Sequence, residues 1–105
     1  MDVIAEHHLV ATYSDGASGP VTLRVGRPFA HPLGDHACSV QAEGLRLWEG
    51  PKEIFGVGTW QALVLGLRLL RSILSAEAER GTVFRWESGE DAVSVDELFV
   101  LRMLS

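Results

Sequence analysis

Apolar residues in this chain recur with two different periods. From Thr59 to Glu79 (TWQALVLGLRLLRSILSAEAE) they return every third and fourth position without a proline, between Gly56-Val57-Gly58 and Arg80-Gly81. That spacing predicts one long helix over about 59–80. Elsewhere the period is two. Val21, Leu23 and Val25 alternate with Thr22, Arg24 and Gly26, and in His36 to Gly44 the small apolar residues Cys38, Val40 and Ala42 oppose Ala37, Ser39, Gln41 and Glu43. Both stretches read as strands with one buried face. Val3 to Tyr13, with Ile4, Leu9, Val10 and Tyr13, also suits a strand. The turn formers of Ser14 to Pro20 (SDGASGP) join it to Val21–Gly26 as an antiparallel pair. Arg27 to Asp35, with two prolines and a glycine, predicts an irregular connection. Leu45, Leu47 and Trp48 suggest a fourth strand before Gly50-Pro51, Lys52 to Val57 an extended piece or short turn, Val83, Phe84 and Trp86 a final strand, and Ser88 to Asp91 a turn. The expected architecture is α+β: a single domain over 1–105, with an antiparallel sheet of four to five strands on one long helix and a short C-terminal helix.

The helix is apolar over more surface than one sheet can cover. Trp60, Leu63, Val64, Leu67, Leu70 and Leu74 follow helical spacing, and Ala62, Leu65, Leu69, Ile73 and Ala76 do so on a neighbouring face. The polar line through Gln61, Arg68, Ser72, Ser75 and Glu79 is narrow. Burying an aliphatic side chain is worth roughly 1.5–3 kcal/mol, so leaving half of this surface wet would forfeit on the order of 10 kcal/mol. Two covers are available. Ser94 to Leu104 is amphipathic through Val95, Leu98, Phe99 and Met103, with Ser94 and Glu97 spaced as a capping box. A second copy of the chain is the other cover and the favoured one, with Leu65, Leu69, Ile73, Leu98 and Phe99 as contact residues. Gly66 marks either a close backbone approach or a tolerated glycine costing about 1 kcal/mol. Thr59 is the expected N-cap, with Gly58 as the alternative, and Gly81 fits a left-handed C-terminal cap.

Composition narrows the partners. The 105 residues carry a net charge of −5, and the nine basic residues are scattered, which argues against nucleic acid. The N-terminal MDVIAEHH lacks a signal-peptide pattern, and the most hydrophobic window, Ile54 to Leu74, is broken by Gln61, Arg68 and Arg71, which argues against a membrane span. A cytoplasmic protein is expected. One cysteine, Cys38, excludes an internal disulfide and reads as a buried core residue.

Reactive constellations are thin. His31, Asp35, His36 and Cys38 lie within HPLGDHAC and are candidate metal ligands, outweighed by the lack of a second cluster at zinc spacing. His7 and His8 are adjacent on a strand, so they point to opposite faces, one half-buried and the other solvated. Cys38 with a histidine has no third orienting group as a nucleophile pair. Glu87, Glu90, Asp91, Asp96 and Glu97 read first as a solvated turn and second as a surface for a basic partner. Gly16, Gly19, Gly56 and Gly58 do not form a phosphate loop. No cofactor is expected.

The helix start GVGTWQAL (Gly56 to Leu63), preceded by Gly26-Arg27-Pro28, a strand containing Cys38, and Glu43-Gly44-Leu45, resembles a family of small, uncharacterised bacterial proteins whose corresponding helix begins Gly-Val-Asp-Ser-x-Gln-Ala-Leu. The resemblance runs from about Ile4 to Trp86, and Gly58 stands where the family pattern has an acidic residue. It implies a compact α+β unit and at most a binding or interaction role, with no activity to carry over. The expected function is a non-enzymatic protein-interaction module, homodimeric or bound to another protein, of the toxin-neutralising kind. The alternative is a small-ligand binder or enzyme with its pocket between sheet and helix near His36, Cys38 and Trp60.

Overall fold

A computed structural model of the protein describes residues 1–33, 35–46, 48, 50–89 and 91–99. Its strands are β1 (Val3–Thr12), β2 (Ser18–Gly26), β3 (Phe29–Ala30), β4 (His36–Glu43), β5 (Lys52–Gly56), β6 (Val83–Trp86) and β7 (Ala92–Val93). Helix α1 (Thr59–Glu79) lies between β5 and β6, and a short helix α2 (Val95–Phe99) follows β7. The fold is α+β.

All strand pairings are antiparallel. Val40 pairs with Val25 on one side and Lys52 on the other, and Ala37 pairs with both Phe29 and Phe55. A strand has two edges, so β5 owns one edge of β4 while β2 and β3 share the other. β3 is β2 resumed, one register step out, after Arg27-Pro28 interrupts pairing. The sheet therefore runs β5, β4, β2 with β3, β1, β6, β7. α1 starts beside Gly56 at one edge of the sheet, packs on β4 and β5, and delivers the chain to β6 on the far side of β1.

One face of the sheet carries the core. Leu9 and Ala11 of β1, Val21, Leu23 and Val25 of β2, Cys38, Val40 and Ala42 of β4, and Phe84 of β6 form a single buried cluster with Ala62, Leu70 and Leu74 of α1. The other face is polar along its centre. Arg24 is ion-paired to Glu6 and Glu43 and hydrogen-bonded to Gln41, and His8 bridges Glu6 and Thr22. The alternation read from Val21–Val25 and Cys38–Ala42 thus has the expected sense.

Several expectations need correction. Among the described residues the sheet has seven strands, not four to five, because β3 and β7 are two residues each and too short to show a period. Leu45 and Trp48 are in turns, not a strand: the Leu45 N–H donates to the Ala42 carbonyl and the Trp48 N–H to that of Leu45, each at 3.3 Å. Leu47 lies outside the described residues, as do Glu90 of the acidic turn and the part of the C-terminal segment beyond Phe99. The N-cap of α1 is Gly58, with Thr59 the first helical residue. Gln61 steadies this start by accepting the Val57 N–H on Oε1 at 2.7 Å. At the other end Gly81, at φ +96°, donates to Ala78 while Thr82 donates to Glu77, a Schellman closure.

Candidate interaction surface

The buried line of α1 is Ala62, Gly66, Leu70 and Leu74, joined by Glu77. It is narrow at its start for a steric reason. A Cβ on Gly66 would stand 3.0 Å from Cys38 Sγ and 3.1 Å from Val40 Cγ1, so the helix backbone rests almost directly on β4. Close approach is therefore the role of Gly66. With that line facing the sheet, the 100° step per residue turns Trp60, Val64 and Leu67 outward on one flank. Trp60 is 81% exposed, as is Val57 just ahead of the helix, and Val64 and Leu67 are 40% and 37% exposed. These helix residues belong to one of the two apolar faces read from the helical spacing.

The residues expected to need cover lie otherwise. Leu69 and Ile73 are half-buried against the core cluster, together with Trp48, Leu98 and Phe99, and Leu65 is half-buried. α2 packs on α1 and is tied to it by Arg71 and Asp96 at 2.6 Å. Ser94 caps α2: its Oγ accepts the Glu97 N–H at 3.1 Å and donates to Glu97 Oε1 at 3.2 Å. The C-terminal segment thus covers part of α1, in its described portion, with the capping pattern its sequence suggested.

Between the two helices and the sheet lies an open groove of about 390 Å³. Ala5, His7, Leu23 and Val25 line it from the sheet, Leu67 and Leu70 from α1, and Leu98 and Phe99 from α2. Trp86 also lines it, its ring edge-on to His7 at 5.1 Å between centroids. The exposed flank of α1 runs into this groove at Leu67. His7 and His8 do point to opposite faces, but both are exposed.

The candidate metal ligands are dispersed. Cys38 points into the core, where its Sγ donates to the Gly26 carbonyl at 3.5 Å and burial pushes the thiol pKa up. Asp35 is exposed, and its carbonyl accepts the His31 N–H at 2.7 Å, closing the loop before β4. The His31 ring accepts the Leu33 N–H and packs edge-on to Phe55. His36 Nδ1 is buried without a hydrogen-bond partner among the described residues. No group of three His, Cys, Asp or Glu side chains among the described residues is arranged to hold a metal ion. Nor is any helix among them long and apolar enough to cross a membrane.

A family model described as a domain of unknown function, DUF6968, matches residues 5–95, from β1 to the first residue of α2. The chain belongs to the DUF6968 family. The DUF6968 match takes in the sheet, α1 and the strand side of the groove, and it spans the stretch that resembles an uncharacterised family, from Ile4 to Trp86, short of Ile4 itself. No curated protein and no solved structure matches the chain.

Sequence reasoning missed the groove. Ala5, His7, Leu23 and Val25 have the same inward alternation as the true core, and nothing in that pattern says where helical cover stops.

Proposed function

We propose that the domain is a non-enzymatic protein-interaction module that pairs with a second copy of itself through the outward flank of α1. The observation that carries this reading is Trp60, 81% exposed on a well-formed helix in line with Val64 and Leu67. Exposed aromatic and aliphatic residues in a row are characteristic of contact surfaces. Acidic repulsion does not oppose a like partner here. The chain carries −5, yet the only carboxylates on α1 are the buried Glu77 and the terminal Glu79, so two copies meeting along Trp60 and Val64 bring no acidic residues together. Sedimentation velocity tests the proposal: the wild type sediments as a dimer and Trp60→Ser as a monomer. A wild type that stays monomeric at the highest concentration overturns it.

The groove supports a second reading. Its volume is within the roughly 300–1,000 Å³ usual for small-molecule sites, and its lining is mostly apolar. A small apolar ligand bound there would raise the melting temperature of wild type and Trp60→Ser equally, whereas a partner seated on the α1 flank would not protect the variant.

A further inference from the structure

β1 is an inner strand of the sheet, yet half of one edge has no strand beside it among the described residues. β2 pairs with β1 from Val3 to Thr12 along one side. On the other side β6 pairs only with Leu9 to Thr12. At Trp86 the chain turns away, with the Gly89 N–H donating to the Trp86 carbonyl at 3.3 Å. A hollow of about 280 Å³, lined by Glu6, His7, His8, Trp86, Glu87 and Ser88, lies where β6 would have continued.

We propose that this free edge, Val3–His8, is a strand-addition site for an extended segment of another protein in which apolar residues alternate with basic ones. An added strand would prolong the line of β6 and take up the main-chain groups of β1. Side chains on its helix-facing side would enter the groove beside His7, Trp86, Leu98 and Phe99, which suits apolar residues. Those on its other side would lie near Glu87 at the mouth of the hollow, on a protein of net charge −5, which suits lysine or arginine, while Glu6 on that side is already paired with Arg24 and His8. A second copy fits this edge poorly. Antiparallel pairing of Val3–His8 with itself centred on Glu6 puts Glu6 opposite its own counterpart, like charge beside like. The irregularity between Val3 and Ala5 ends the regular part of the edge.

This site is separate from the α1 flank and does not depend on pairing there. The test is amide hydrogen exchange, read by NMR on the full chain, with a short synthetic peptide alternating valine and lysine. Exchange within Ala5–His8 slows about tenfold or more at saturating peptide, in wild type and Trp60→Ser alike. The same peptide N-methylated at alternate amides, or with glutamate in place of lysine, gives no such protection. Unchanged exchange with the valine–lysine peptide overturns the proposal, as does equal protection by the N-methylated peptide. Protection that grows with protein concentration in the absence of peptide also overturns it, since a second copy would then be the occupant.

Discussion

Cys38 and Gly66 make the tightest contact between helix and sheet, and each carries a prediction. Alanine at Gly66 gains about 1 kcal/mol of helix propensity but crowds Cys38 Sγ and Val40 Cγ1, and overpacking of this kind costs about 1–3 kcal/mol. Gly66→Ala should therefore lose about 1 kcal/mol in urea unfolding, with overpacking the larger effect. A net gain would mean that the approach is looser than the geometry says. For Cys38 the sign follows from burial. The folded thiol keeps its proton at a pH where the unfolded thiol, with an ordinary pKa of 9.0, has released it. Stability is therefore retained below that value and falls as the pH rises through and above it. Cys38→Ala should remove that share of the alkaline loss, seen as a flatter dependence of the urea midpoint on pH above 9.0. The inward placing of Cys38 could be read from alternation with Val40 and Ala42. Its hydrogen bond to Gly26 could not, because that contact depends on the register of β2 against β4.

The ends of α1 were legible and its orientation was not. Gly81 followed Arg80 where a left-handed cap belongs, and the closure through Ala78 and Glu77 has that form. Gly81→Ala should cost about 1 kcal/mol, since alanine resists a φ of +96°. Glu77 is buried with its carboxylate accepting from the Thr82 hydroxyl at 3.2 Å and from Arg80 at 3.1 Å. Glu77→Ala should lose about 2 kcal/mol, mainly by leaving the buried Thr82 hydroxyl without its acceptor. Trp60→Ser, by contrast, should change monomer stability by no more than about 0.5 kcal/mol, because so little of the ring is buried. The two apolar faces of α1 look alike in sequence. What fixed the rotation was the small pair Ala62 and Gly66, which let the helix settle onto β4. Gly66 was a signal of close approach that periodicity weighs as nothing.

At the scale of the molecule, the fold class, the long helix and the first antiparallel hairpin were readable because each repeats a period over many residues. β3, β7 and the groove were not, since two-residue strands have no period and a groove arises from where elements end. The same limit hid the free edge of β1, which exists because β6 stops at Trp86 four pairs into a ten-residue strand. The proposed self-pairing along the α1 flank is tested most directly by disulfide trapping at Val64, because the only native thiol, Cys38, is buried. Under mild oxidation Val64→Cys should collect as a covalent species of twice the 11.5 kDa of the chain, while Ser72→Cys, exposed but turned well away from the flank, should not. A Val64→Cys protein that stays at the mass of one chain, or cross-links no faster than Ser72→Cys, would contradict the account.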